Sequence, residues 1–447
     1  MRTKYFYIHT FGCQMNVHDS EQVAEMLKAR GYERAERADT SDVVIVNTCC
    51  VREKAEQKAF SMMGRLRRLK RDNPGLILCV VGCMAQQRGR DILKRVPCLD
   101  IVVGTHNLHR LPRMISEIER GRKGVTETGF HDSIASMDVV SLPVGRRVTA
   151  FVSIMQGCDN FCAYCIVPYV RGREMSREST DIIKEIETLA VHGVKEVTLL
   201  GQNVNSYGKN LAGGQHFPAL LERIGVIPGI ERIRFTTSHP KDLSDDLIRC
   251  FTTIGTLCEH IHLPVQSGSD VILRRMKRGY AAGEYLEKVE RLREVCPDIS
   301  ITSDIIVGFP GESDGEFQKT IDLMEKVRFD NTFSFVYSDR PGTAAEGYDK
   351  KVKRDVQIER LTVLQSLQAR HTEEKNRKMQ GAAAEILIEG FSKNDRTDLM
   401  GRTRTNTIVN VGGSRDLIGN LEMVKITETY MHSLRGELLA KKEALTC

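Results

Sequence analysis

Residues 158–165 read Cys158-Asp159-Asn160-Phe161-Cys162-Ala163-Tyr164-Cys165, directly after an apolar run, Val148–Gln156, that reads as a β-strand. Thiols that follow a strand at this spacing share one loop at the carboxyl end of a sheet, where α/β folds bind ligands. Spacings of three and two residues let a single loop reach one cluster, and soft thiolates select iron–sulfur or zinc. Three ligands rather than four leave one iron of a 4Fe–4S cluster open to a substrate or cofactor. The alternative is a zinc site completed by a distant fourth residue, although no His or Cys follows at zinc-finger spacing.

Outward from this loop the pattern alternates strand and helix. Downstream strands are expected at Glu196–Gly201, Arg232–Ser238, His260–Gln266, Ser300–Val307 and Asn331–Val336. With Val148–Gln156 they make six βα units, which fit a (β/α)6 partial TIM-type barrel or a second doubly wound sheet. A charged helical connector, Val352–Lys378, closes this block, placed at 147–378. Upstream, short Val- and Ile-rich runs at Lys4–Gly12, Asp42–Cys49, Leu76–Cys83 and Asp100–Gly104 alternate with amphipathic stretches. That rhythm predicts an N-terminal doubly wound parallel sheet over 1–121. Residues 122–146, rich in Gly, Ser and Thr, read as a linker. Past residue 379, runs at Ala384–Glu389, Thr397–Val411 and Glu422–Leu434 are broken by Gly390, Gly412, Gly413 and Gly419. They predict a small C-terminal β-barrel, over 379–443, of a kind that binds nucleic acid.

A second group of cysteines is dispersed in sequence but not in the predicted fold. Cys13, Cys49 and Cys83 each end one of the first three predicted strands, so a parallel sheet brings their thiols to one ligand-binding crevice. Cys79 lies within a strand, Cys50 neighbours a better candidate, and Cys98, Cys250, Cys258, Cys296 and Cys447 lack partners at ligand spacing; all seven read as ordinary thiols. Thirteen cysteines, an odd number, argue against a disulfide framework and for ligation in a reducing compartment. The N-terminus enters a strand-like run with no apolar secretory segment, and no run of eighteen apolar residues occurs; the expectation is a cytoplasmic protein with no membrane partner. The net charge of +6 permits a polyanionic partner. Arg65, Arg67, Arg68, Lys70 and Arg71 make the densest basic run, which as a charge run alone reads as a solvated helix face.

The Cys158–Cys165 loop resembles that of the radical S-adenosylmethionine superfamily, and the whole chain is similar to its methylthiotransferases. The resemblance covers nearly the full length. It rests on Thr10-Phe11-Gly12-Cys13-Gln14-Met15-Asn16, Asp19-Ser20-Glu21, Asn47-Thr48-Cys49, Gly82-Cys83-Met84-Ala85-Gln86 and Gly308-Phe309-Pro310-Gly311-Glu312. Within that family three stretches look like the enzymes acting on isopentenyladenosine in tRNA. They are residues 49–58, residues 165–177 and Leu199-Leu200-Gly201-Gln202-Asn203-Val204-Asn205-Ser206-Tyr207; residues 334–343 agree.

The resemblance implies two 4Fe–4S clusters, one on Cys158, Cys162 and Cys165 and one on Cys13, Cys49 and Cys83. It implies two S-adenosylmethionine molecules per turnover, one methylating a sulfur at the second cluster and one giving the radical that abstracts the adenine C2 hydrogen. The substrate implied is tRNA carrying N6-isopentenyladenosine next to the anticodon, converted to its 2-methylthio derivative. An aromatic C–H has no useful acidity, so no acid–base pair is expected to do this work. Strand-end placement together with the superfamily pattern puts Tyr164, Gln202, Asn203, Ser238, Gln266 and Gly308 at the cofactor. At Gln202–Asn203 the glutamate of the usual Gly-Gly-Glu motif is absent. Arg171, Arg173 and Arg177 are candidates to pair with the cofactor carboxylate or RNA phosphate. Lys393, Arg396, Arg402, Arg404 and Arg415, with Phe391 and Tyr430, are candidates for RNA contact in the C-terminal barrel. An electron donor and a sulfur source are further implied partners; the oligomeric state is left open, with a monomer as the expectation.

Overall fold

The computed structural model describes residues 2–50, 53–131, 147–393 and 395–440. Val51 and Arg52 of the substrate-branch motif, residues 132–146 of the expected linker, and Cys447 lie outside the described residues.

Buried apolar runs build the first domain. Strands β1 (Lys4–Thr10), β2 (Tyr32–Arg34), β3 (Val43–Thr48), β4 (Ile77–Gly82), β5 (Ile101–Val103) and β6 (Val125–Glu127) form one sheet in the order β2-β1-β3-β4-β5-β6. Every pairing is parallel. Every residue of β3 and β4 is buried, as strands covered on both faces must be. Helices α1 (Gln14–Lys28), α2 (Glu53–Asp72), α3 (Cys83–Arg88), α4 (Arg90–Arg95) and α5 (Leu111–Glu119) supply the cover. The sheet order reverses between β1 and β3, which is where such folds open a crevice at the strand ends. Two details differ from the sequence reading. The short edge strand β2 makes the three cysteine-bearing strands the first, third and fourth. Val125–Glu127, expected in the linker, pairs with β5 as the sheet's sixth strand. Three residues among glycines and charges carry too little periodicity to register as a strand.

The second domain is the (β/α)6 half-barrel. β7 (Thr149–Ser153), β10 (Glu196–Leu200) and β11 (Arg232–Phe235) form one parallel sheet; β12 (His260–His262), β13 (Ser300–Val307) and β14 (Asn331–Val336) form the other. A lone parallel bridge, Ile233 to Leu257, joins them. A two-stranded ribbon, β8 (Met155–Gln156) with β9 (Met175–Ser176), brackets the cysteine loop and its short helix α6 (Val167–Arg171). β12 is shorter than the apolar run 260–266 suggests. Pro264 has no N–H, and the carbonyls of Leu263, Pro264 and Val265 are taken by Tyr285, Arg278 and Tyr280.

The long helix Arg354–Met379 leads to a closed barrel of β15 (Ala383–Phe391), β16 (Asp398–Thr403), β17 (Ile408–Gly412), β18 (Leu421–Thr429) and β19 (Leu434–Leu438). Five strands replace the three expected runs, because turns without glycine or proline split two of them. Asn406, at φ +69°, reverses the chain inside 397–411. This barrel docks on the amino-terminal ends of the half-barrel strands. Arg232, fully buried, donates to the Arg402 carbonyl at 2.6 Å and to the Glu385 carboxylate at 2.9 Å. Arg404 grips Glu259 in return. A cavity of about 450 Å³ lies beside this joint, lined by Glu21, Thr149, Glu196, His260 and Arg402 among others. It opens near the first residues of β7, β10 and β12, away from the cysteine loop that follows β8, so it belongs to domain packing.

Candidate active site

The first thiol group is shaped by backbone that only certain residues tolerate. Gly157, at φ +82°, enters the loop where a Cβ would lie 1.9 Å from the Arg173 carbonyl oxygen, so only glycine fits. Its N–H donates to Gln202 Oε1, and the Cys158 N–H donates to the Gly172 carbonyl at 3.2 Å. Ala163 donates to the Met276 carbonyl at 2.9 Å, tying the loop to the far side of the half-barrel. Cys162 is buried; Cys158 and Cys165 are partly exposed. Arg278, buried and unmarked in the sequence, donates to Cys162 Sγ at 3.4 Å and reaches the Tyr164 hydroxyl at 3.4 Å. Burial and then the neighbouring Cys162 push the Cys165 thiol up to about 12; burial also raises Cys158. Raised thiols such as Cys158 and Cys165 become thiolates when a cation shares the site, and Cys162 stands on the same loop as the third donor. This donor set fits an iron–sulfur cluster.

The carboxyl ends of β10, β11 and β12 carry polar atoms without a partner among the described residues. Asn203 Oδ1, Ser238 Oγ and Gln266 Oε1 are buried without a hydrogen-bond partner among the described residues. His239 Nε2 and the Asn205 amide are the same. Thr237 and Gln266 hold φ of +70° and +72°, conformations that cost a branched or long residue energy and collect at ligand sites. Unpaired buried polar groups are rare, and a polar ligand lying across these strand ends would satisfy them. Asn203 is already tied through Nδ2 to Asp242 at 2.8 Å. Gln202 braces the cysteine loop, as above. Gly308, at φ +69°, is held by Glu312 at 2.6 Å and by Gln357, whose side chain occupies the space of a Cβ. Tyr164 sits edge-on to Phe309 with ring centres 6.5 Å apart.

The second group assembles at the reversal between β1 and β3. Cys13 caps α1, and Cys83 opens α3. The positive end of each helix favours an anionic sulfur. Cys49 lies beside them: a Cβ on Gly12, at φ +138°, would stand 2.8 Å from the Cys49 Cβ. Asn16 ties the loops together, accepting from the Cys13 N–H at 3.3 Å and donating to Asn47 Oδ1 at 3.0 Å. Cys50, set aside in the sequence as the neighbour of a better candidate, packs in one buried cluster with Cys83; its thiol and then the Arg171 charge draw the Cys83 thiol down against its burial. Among the described residues no three His, Cys, Asp or Glu side chains converge on one ion position. A polynuclear cluster, whose irons take their thiolates at separate corners, does not need that convergence.

Several predicted RNA or cofactor contacts are used internally instead. Arg171 is buried and paired to Asp19 at 2.6 Å. Arg177 is buried against Glu185 at 2.7 Å and the Ser153 carbonyl. Arg402 pairs with Glu389 and Arg404 with Glu259, both at the joint between domains. Arg173 is exposed, paired with Asp159 and stacked over Phe161. Lys393, Arg396, Arg415, Phe391 and Tyr430 are exposed. No described helix is long and apolar enough to cross a membrane.

Residues 5–104 match the uncharacterized protein family UPF0004, residues 152–324 the radical SAM superfamily, and residues 377–439 the TRAM domain. Among solved structures, the radical S-adenosylmethionine methyltransferase TsrM from Kitasatospora setae has a TM-score of 0.59 at 14% identity, covering 77% of each chain. The cobalamin-dependent S-adenosylmethionine radical enzyme OxsB has a TM-score of 0.52 at 11% identity, over 82% of this chain and 56% of that one. At such identities the likeness is one of fold. The curated relatives are far closer in sequence. The tRNA-2-methylthio-N(6)-dimethylallyladenosine synthase of Syntrophus aciditrophicus (strain SB) is 58% identical, with 98% of this chain and 95% of that one covered. Those of Geobacter sulfurreducens (52%; 98% of each chain) and Clostridium botulinum (48%; 97% and 96%) carry the same name. This chain belongs to the family of tRNA-2-methylthio-N(6)-dimethylallyladenosine synthases.

Proposed function

We infer that the chain converts N6-isopentenyladenosine in tRNA, next to the anticodon, to its 2-methylthio derivative. It does so as a radical S-adenosylmethionine enzyme with two 4Fe–4S clusters. The observation that carries this reading is the pair of three-cysteine groups on adjoining domains, tied to each other through Arg171 and Asp19. When loaded, the first site supplies a reducing electron to the sulfonium of S-adenosylmethionine, and the second supplies the sulfur that becomes the methylthio group.

We propose Cys158, Cys162 and Cys165 as ligands of the first cluster and Cys13, Cys49 and Cys83 as ligands of the second. The rest of the chain positions. Gly157 and Gln202 set the first loop. Arg278 donates to Cys162 and holds Tyr164 at the rim. Asn203, Ser238 and Gln266 offer their unpaired atoms to the methionine and ribose of the cofactor, with Tyr164 and the Gly308 backbone beside the adenine. The exposed cations and aromatics of the C-terminal barrel hold the tRNA. A one-electron reductant and a sulfur source complete the proposed partners. The proposed domains are 1–121, extended through β6, then 147–378 and 379–443.

The test is anaerobic. The reconstituted chain, S-adenosylmethionine and a reductant are offered tRNA bearing isopentenyladenosine, threonylcarbamoyladenosine or unmodified adenosine, and the digests are read by mass spectrometry. Methylthio product from the first alone is expected. Formation of 5′-deoxyadenosine without product on any tRNA would keep the radical chemistry and overturn the acceptor.

A further inference from the structure

One side chain spans the two cysteine sites. Arg171 ends helix α6, which starts two residues after Cys165, yet its guanidinium leaves its own domain. It bonds the Asp19 carboxylate of α1 through both nitrogens, at 2.6 and 3.5 Å. Its backbone is held from the same side: the Arg171 carbonyl meets His106 Nε2 at 2.9 Å, and the Val170 carbonyl accepts from Thr105 at 2.6 Å. Ile166 and Val170 pack in one buried cluster with Cys83, Cys50 and Met84. Arg171 is only 3% exposed, and its helix packs on α3, which Cys83 opens, so its charge lies in the field of Cys83 and Cys13.

A structural ion pair needs only the carboxylate. This one lies buried between α1, which Cys13 caps, and α3, which Cys83 opens, and a full positive charge in a buried setting acts strongly on whatever negative charge collects there. Reducing a cluster adds one negative charge, and hydrogen bonds and charges near its sulfurs set its potential. We infer that Arg171 is a positioning residue of the second cluster: Asp19 holds its guanidinium between the Cys13 and Cys83 helices, where its charge raises that cluster's reduction potential and its helix sets the register between the two cysteine groups. This rests on the reading above that the second triad carries a cluster.

The experiment isolates that cluster. In the full-length chain Cys158, Cys162 and Cys165 are replaced by Ala, the protein is reconstituted anaerobically, and the midpoint potential is followed by electron paramagnetic resonance. Arg171→Gln is expected to move the midpoint negative. Asp19→Asn, which removes the opposing charge, should move it positive, and Arg171→Lys should restore most of the shift. Opposite signs are the signature, because lost packing alone would not produce them. Unchanged midpoints in folded Arg171→Gln and Asp19→Asn variants with full iron overturn the inference. Should Arg171→Gln fail to fold, Arg171→Met is measured in its place, and a midpoint as in the parent chain overturns the inference. A parent chain that takes up no iron at this triad overturns the functional reading and the inference with it.

Discussion

Asn16 is fully buried where three cysteine loops meet, and each of its side-chain polar atoms is used. Asn16→Ala leaves the Asn47 amide and the Cys13 N–H without this partner inside the protein, which costs about 2 kcal/mol. The variant should therefore unfold at lower urea and retain less iron at the second triad, with the first unaffected; equal iron at both would sink this role. Buried imidazoles give a pH dependence with a definite sign. Burial, and then the nearby Arg234, draw His260 down to about 3; burial draws His18 down to about 4. Above pH 6.5 both are neutral folded or unfolded. As pH falls below that, the unfolded chain takes up protons that the folded core refuses. Stability then drops by about 1.4 kcal/mol per pH unit for each histidine, until pH 4 for His18 and pH 3 for His260. Anaerobic denaturation at pH 7.5 and 5 should show that loss, and His260→Gln should lessen it. At this scale the two proposed groups of cysteines can be picked out in the sequence, one by spacing and one by strand ends. Asn16 stands in a recognisable motif whose letters do not tell its job. Arg278 is invisible there, because its contact to Cys162 spans 116 residues and no local pattern encodes it.

Elements are legible where burial writes a pattern. Wholly buried β3 and β4 read as continuous apolar runs, so their ends, and with them Cys49 and Cys83, can be placed. Strand β6 and the turn at Asn406 cannot, because three residues or one left-handed asparagine leave no periodic trace. Nor does a strand announce that its first residue is a peg. Arg232 opens β11 with its side chain fully buried, and the far end of that side chain belongs to the C-terminal barrel. Arg232→Met removes the partner of Glu385 and of two carbonyls, and breaking such a pair costs roughly 3–5 kcal/mol where the remaining charge stays buried. Glu385 is 39% exposed, so water recovers part of that and about 2 kcal/mol is expected. The measured consequence should be faster proteolysis near Gln380–Ala383, between the long helix and β15, with the half-barrel intact. Uniform proteolysis along the chain would point to global unfolding instead.

Across the whole molecule, the same residue type does two jobs in the C-terminal barrel, and only the assembled structure sorts them. Arg402 and Arg404 face inward: Arg404 binds both Glu259 oxygens and the carbonyls of Gly255 and Leu257, which locks the barrel to the half-barrel. Lys393 and Arg396 lie exposed to solvent, close in sequence to the exposed Phe391. Sequence alone ranks all four together, since a basic residue on a strand does not reveal which face of the barrel it occupies. Their variants should separate by salt dependence. A cation on a phosphate releases counterions, so Lys393→Ala with Arg396→Ala should weaken tRNA binding and flatten the slope of log K against log salt by roughly 0.7–0.9 for each phosphate partner removed. Arg404→Ala takes no cation away from a phosphate. It should lower affinity through a loosened barrel while leaving that slope as in the parent chain. Titrating binding of the same tRNA at several salt concentrations gives both numbers at once. A slope that flattens equally for Arg404→Ala would mean that this arginine meets RNA, and that the docked joint opens when tRNA binds.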